Sequence, residues 1–139
     1  MEIFIIAALL LGLPAAAPGA RTVDTEAHRV QVEVVGAGLE HPWGMAFLPD
    51  GTLFYTELCR GLSVRTPDGE VTNLLGMTDS EGYATQADDL FCNGQAGMNG
   101  VAIDPDFEEN RRIYVYSVSD MSDPPTNRVL RMTVNADFS

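Results

Sequence analysis

The residues best suited to chemistry sit together in Cys92-Asn93-Gly94-Gln95-Ala96-Gly97. A side-chain amide carries two N–H donors and a carbonyl acceptor, so Gln95 can orient a hydroxyl or a carbonyl oxygen of a ligand. Gly94 and Gly97 permit unusual backbone angles and close approach of the chain to that ligand. Spacing alone equally allows a turn glutamine facing water. Cys59 and Cys92 enclose 34 residues, both ends counted. They could be a disulfide, two free thiols or a metal pair, and the lack of nearby histidine makes zinc the poorest reading. Asp104, Asp106, Glu108 and Glu109 have the look of a Ca²⁺ loop. The EF-hand pattern needs glycine at its sixth position, where Glu109 stands, so a turn is the better reading. Asp79, Glu81, Asp88 and Asp89 could bind Ca²⁺ or solvate a long loop; solvation is preferred. His41 and Trp43 read as structural, with the Trp43 ring filling space between packed sheets.

The elements that must position these residues are strands. Val30, Val32 and Val34 alternate with Gln31 and Glu33, as in a half-buried strand. Apolar runs follow at 43–48, 53–57, 62–66 and 71–75, punctuated by Pro49-Asp50-Gly51, Gly61 and Pro67-Asp68-Gly69. Four short runs with tight turn signals predict an antiparallel meander. A Gly/Asp-rich loop is expected from 76 to about 97, and strands resume at 100–103, 113–119 and 128–134. Past residue 20 no amphipathic helix is visible; 106–110 is too short.

An internal repeat is present. Gly44-Met45-Ala46-Phe47-Leu48-Pro49-Asp50 aligns with Gly100-Val101-Ala102-Ile103-Asp104-Pro105-Asp106 at an offset of 56 residues. Leu53-Phe54-Tyr55 then corresponds to Ile113-Tyr114-Val115. A four-strand meander repeating at about 50 residues predicts an all-β fold, a β-propeller, with about one and three-quarter blades in this chain. The strand at 30–35 would be the outer strand of a last blade. Propellers close with about four to eight blades, so the reading expects an N-terminal part of a longer protein. In a blade, the connection between second and third strands shares a face with the connection between blades. Cys59 falls on the first and Cys92 on the second, which favours a disulfide.

The chain has 139 residues, 20 acidic and 8 basic, and a formal net charge of −12. Without Lys/Arg patches it is not built to bind nucleic acid or an anionic membrane surface. Ile3–Leu13 is an apolar run ending in small residues, too short for the roughly 20 residues of a membrane span. It reads as a secretory signal peptide over 1–19, although Met1-Glu2 lacks the usual basic residue. The expected order is then signal peptide 1–19, polar linker 20–29 and propeller 30–139. A periplasmic or secreted location follows, with no transmembrane span after processing, and oxidising conditions suit a disulfide.

The segments His41-Pro42-Trp43-Gly44-Met45-Ala46-Phe47-Leu48-Pro49-Asp50-Gly51 and Gly94-Gln95-Ala96-Gly97-Met98-Asn99-Gly100-Val101-Ala102-Ile103-Asp104-Pro105-Asp106-Phe107-Glu108-Glu109-Asn110 resemble the glucose/sorbosone dehydrogenase family. So does the following strand with Tyr114 and Tyr116. The resemblance implies a six-bladed propeller that oxidises aldose sugars or related polyol aldehydes. It implies pyrroloquinoline quinone as hydride acceptor, Ca²⁺ bound with it, and an external electron acceptor. Gln95 matches the glutamine that lies at the mouth of the family's active site, near quinone and sugar. The family's base histidine, cofactor-anchoring basic residues and Ca²⁺ ligands lie in later blades; neither His28 nor His41 sits in the histidine's motif. This piece alone is therefore expected to be inactive. Where the family often has Thr-Glu-Arg, this chain reads Thr56-Glu57-Leu58-Cys59-Arg60. Its cysteine pair and long 76–93 segment suggest a sub-branch. The competing function is a non-catalytic secreted propeller that binds a carbohydrate or protein partner.

Overall fold

The structure, a computed structural model, describes residues 21–138; the expected signal peptide lies outside the described residues. The chain divides into two compact units at Ala37–Gly38. In the first, β1 (Arg21–Asp24) and β2 (Arg29–Val32) form an antiparallel hairpin. The Thr25 hydroxyl donates to the His28 carbonyl across the turn at 2.8 Å, and Arg29 Nε lies 2.8 Å from Asp24 Oδ1. Residues 21–29 are therefore half a hairpin and not the unpatterned linker expected. The 30–35 strand is also corrected: it ends at Val32, and Val30 and Val32 are exposed. A two-stranded ribbon has no second layer to bury one of its faces.

The second unit holds β3 (Pro42–Phe47), β4 (Leu53–Glu57), β5 (Gly61–Arg65) and β6 (Val71–Met77), an antiparallel meander in chain order. The connection 48–52 shows how local chemistry makes the turns. Gly51 N–H donates to the Leu48 carbonyl at 3.0 Å with φ +93°, and Asp50 Oδ1 accepts from Thr52 N–H at 2.8 Å. Within the expected 76–97 loop, β7 (Thr85–Ala87) adds to β6 in parallel. A second sheet follows: β8 (Met98–Ile103), one helical turn α1 (Phe107–Asn110), β9 (Arg112–Ser119) and β10 (Thr126–Thr133).

The repeat is reproduced in register. Met45, Ala46 and Phe47 oppose Tyr55, Phe54 and Leu53, while Val101, Ala102 and Ile103 oppose Val115, Tyr114 and Ile113. Each inner strand also shifts register near its start, beyond Pro42 in one and beyond Met98 in the other, at the same 56-residue offset. The sheets share one core, with Phe54, Leu62, Val64, Ile113 and Val115 nearly or fully buried. Phe54 meets the rings of Phe107 and Phe138 edge-on, each at 6.0 Å. The buried Ile113 and Val115 are the repeat equivalents of Leu53 and Tyr55. On that face of the first blade Met45 and Phe47 are exposed. Opposite faces of like units thus meet head to tail, the stacking that generates propellers when the rotation closes.

Candidate functional site

Gln95 lies on a two-residue hairpin. Asn93 and Ala96 exchange backbone hydrogen bonds of 3.2 and 3.0 Å, leaving Gly94 and Gln95 at the tip. Gly94 takes φ +63°, and a Cβ there would meet no atom within 4 Å; the glycine serves the turn. Gly97 serves packing. A Cβ there would lie 2.2 Å from the Leu58 carbonyl oxygen. Its close approach is thus to the first blade's backbone, not to a ligand as the sequence suggested.

The hairpin is tied to both blades. Leu58 N–H donates to the His41 carbonyl at 3.1 Å, and Met98 N–H donates to the Leu58 carbonyl at 2.8 Å. Val118 N–H donates to the Gly97 carbonyl at 3.0 Å. Cys59 and Cys92 form a disulfide with Cα atoms 5.4 Å apart, so the connection in the first blade holds the segment leading to Gln95. Asn99 Nδ2 then donates to the Gln95 carbonyl at 3.0 Å. The Gln95 side chain itself is exposed.

These ties set Gln95 on the wall of a cavity of about 590 Å³, with Trp43, Asn99, Tyr116 and Asn127 as the other chief groups. Trp43 also lines this cavity. It is the second residue of β3, where the register shifts, and 52% of its surface is exposed. Phe91, Val118 and Pro125 complete the apolar part. The lining is aromatic rings and neutral amides, without a cation or carboxylate. Such a wall can stack a flat ring or the apolar face of a sugar, and can bond hydroxyl or carbonyl oxygens.

The remaining candidates fall elsewhere. His28 and His41 are exposed; His41 has φ +51° and gives its carbonyl to Leu58. Asp104 is the hub of a turn. Its Oδ1 accepts from Asn110 Nδ2 at 2.9 Å and Asp106 N–H at 3.0 Å, and its Oδ2 from the Tyr114 hydroxyl at 2.8 Å. The Asn110 amide, followed by Asp106 N–H and the Tyr114 hydroxyl, lowers the Asp104 pKa; the same bond raises that of Tyr114. This explains the Asp-Pro-Asp-Phe-x-x-Asn pattern as a turn. Asp106, Glu108 and Glu109 are exposed. Asp79, Glu81 and Asp88 are exposed as well, while Asp89 accepts from the Ser119 hydroxyl at 2.9 Å and pairs with Arg128. Among the described residues no three His, Cys, Asp or Glu side chains cluster to hold a metal. In the Thr56-Glu57 element the displaced Arg60 still reaches the buried Glu57, at 3.6 Å.

Sequence reasoning did not single out Asn99, Tyr116 or Asn127 as site residues. A signal was available for Tyr116: β9 buries Ile113, Val115 and Ser117, and the alternation puts Tyr116 on the outer face, where an aromatic ring wants a partner.

A propeller blade pair whose loops build a neutral, aromatic-walled cavity defines the class. Residues 39–139 match the Glucose / Sorbosone dehydrogenase family, and the chain belongs to it. It is 32% identical over 94 residues to the aldose sugar dehydrogenase YliI of Escherichia coli K12, covering 68% of this chain and 23% of that protein. It superposes on the soluble aldose sugar dehydrogenase of E. coli in the apo-form with a TM-score of 0.61 and 26% identity, over 77% of this chain and 29% of that one. The PQQ-bound aldose sugar dehydrogenase of Streptomyces coelicolor gives a TM-score of 0.59 and 25% identity, over 76% and 28%. The chain thus spans less than a third of the length of each of these relatives.

Proposed function

We propose that this chain is the N-terminal part of a quinone-dependent oxidoreductase that oxidises aldose sugars, with Gln95 orienting sugar or cofactor. The observation that carries the reading is the placement of Gln95. A family-matching glutamine stands exposed on a cavity wall, on a hairpin held by both blades and a disulfide.

Pyrroloquinoline quinone fits this lining in part. The amides of Gln95, Asn99 and Asn127 suit carbonyl oxygens, and the Trp43 and Tyr116 rings suit a flat polycycle. Its carboxylates would need cations, and the lining contributes none, so those must come from outside these residues. When bound, the quinone supplies a two-electron acceptor for hydride. This chain's residues bind and orient. The Gln95 amide would hold a hydroxyl or carbonyl oxygen, and the aromatic wall would exclude water from one side. No residue of the cavity lining is a base, so the hydroxyl proton would pass to a group elsewhere in the protein. On this reading the Ca²⁺ ligands would likewise come from residues beyond this chain, and electrons would leave to an external acceptor. Export to the periplasm or beyond is supported by the disulfide. Among the described residues no helix is long and apolar enough to cross a membrane.

The test is oxidation of aldoses by the full-length apo-protein, with an artificial electron acceptor, before and after addition of pyrroloquinoline quinone and Ca²⁺. Activity that appears only with quinone supports the reading. Activity without it, or none under any loading, rejects it.

A further inference from the structure

The segment from Asp88 to Gly97 forms one wall of the cavity, through Phe91 and Gln95. The adjoining wall is the end of β9 and the start of β10, through Tyr116, Val118 and Asn127. One polar cluster joins the two walls. Asp89 Oδ2 accepts from the Ser119 hydroxyl at 2.9 Å and pairs with Arg128 Nη2. The Ser119 oxygen in turn accepts from Met121 N–H at 3.3 Å, and Arg128 Nη1 approaches the Met121 sulfur at 3.5 Å. Backbone bonds run beside it: Phe91 N–H to the Val118 carbonyl at 3.0 Å and Asp120 N–H to the Asp89 carbonyl at 3.2 Å.

The side chains of this pair are only 20% and 28% exposed, so it is screened less than a surface pair. Strand alternation puts Ser119 and Arg128 on the face of β9 and β10 opposite Tyr116, Val118 and Asn127, so the pair holds the 88–97 segment from behind the lining, with Asp89 two residues before Phe91. The disulfide at Cys92 ties the same segment to the first blade. The segment is therefore clamped at two points ahead of Gln95, ionic at Asp89 and covalent at Cys92.

We propose that Asp89 and Arg128 are positioning residues for the Gln95 site. This inference rests on the functional reading above. The ion pair fixes how the 88–97 segment seats on β9 and β10, so that Phe91 and Gln95 present one geometry to the ligand beside Tyr116 and Asn127. Misplacement of a positioned group by about 1 Å can cost on the order of 100-fold in rate, which sets the scale.

The experiment uses the full-length protein with Asp89→Asn, Arg128→Ala and the double variant. Binding of pyrroloquinoline quinone to each apo-protein is measured by equilibrium titration, beside aldose kcat/KM and hydrogen exchange. Each single variant should bind quinone about 10-fold more weakly and lose about 10- to 100-fold in kcat/KM. The double variant should be no worse than either, because the two residues act through one contact. Exchange should rise in 88–97 and 119–128 and remain unchanged in β4 and β5. A lowered melting temperature with unchanged quinone binding and kcat/KM in the folded variants would overturn the proposal, leaving a structural pair only. If wild type binds no quinone, the functional reading falls. The exchange pattern then decides alone: a rise confined to those two segments sustains positioning of the cavity walls, and an unchanged or global rise rejects it.

Discussion

Replacing Gly97 by alanine should cost more stability than the same change at Gly94, although both lie within two residues of Gln95. At Gly94 the new Cβ meets nothing, and the cost is the left-handed backbone alone, about 1–2 kcal/mol. Asparagine there should cost less, since its side chain tolerates that region. At Gly97 the Cβ would stand 2.2 Å from the Leu58 oxygen, 2.9 Å from Leu58 Cγ and 3.0 Å from its carbonyl carbon. Two of these are backbone atoms and cannot swing aside. Relief requires the blades to separate there, at about 1–3 kcal/mol for overpacking. It also loosens the Met98–Leu58 hydrogen bond of 2.8 Å, worth about 1 kcal/mol. The expected loss is about 2–4 kcal/mol for Gly97→Ala. The assay is denaturant unfolding of the full-length variants, with kcat/KM measured on the folded fraction. Gly97→Ala should also lower kcat/KM, because the displaced strand start carries Asn99 and, through it, the Gln95 carbonyl. Equal stability of the two alanine variants would refute the reasoning.

Reduction of the disulfide, or Cys59→Ser with Cys92→Ser, should lower stability by up to roughly 3.8 kcal/mol from loop-closure entropy over 34 residues; an unchanged denaturation midpoint under reducing conditions would count against it. The Asp104–Tyr114 bond should shape stability at both ends of the pH range. The folded Asp104 pKa is lowered, so its contribution is present above the ordinary value of 3.8 and is lost as pH falls through the folded value. The folded Tyr114 pKa is raised, so its contribution is present below 10.0 and is lost as pH rises through the folded value. Asp104→Asn should flatten the acid side of a stability–pH curve and Tyr114→Phe the alkaline side. A spectrophotometric titration should show both Tyr83, desolvated by burial, and Tyr114 ionising late, and Tyr114→Phe should remove one of the two.

The two blades were legible because their signals are local. Alternating apolar residues bounded by Pro-Asp-Gly turns locate β3 to β6, and the 56-residue repeat carries the same pattern into β8 and β9. What escaped is what main-chain bonding alone decides. Thr85-Gln86-Ala87 joins β6 with Thr85 and Gln86 exposed, and Arg21-Thr22-Val23-Asp24 pairs with no buried face, so neither leaves an apolar pattern to read. At the site, Gln95 and the cysteine pair were visible as motifs. Asn99, Tyr116 and Asn127 were not, because they become neighbours only when β3, β8, β9 and β10 are brought to one end of the blade pair. Trp43 was read from its type, a large ring that fills space between blades; that it also lines the cavity depends on the same convergence of strand ends.

The most direct measurement is aldose kcat/KM for full-length Gln95→Ala against wild type, both loaded with pyrroloquinoline quinone and Ca²⁺ at equal folded concentration. The side chain is exposed on a hairpin whose glycines stay in place, so the fold should survive. Loss of one polar contact of about 1–3 kcal/mol predicts a fall of about 5- to 150-fold. Unchanged kinetics in a quinone-loaded variant would contradict the assignment of Gln95 to the site.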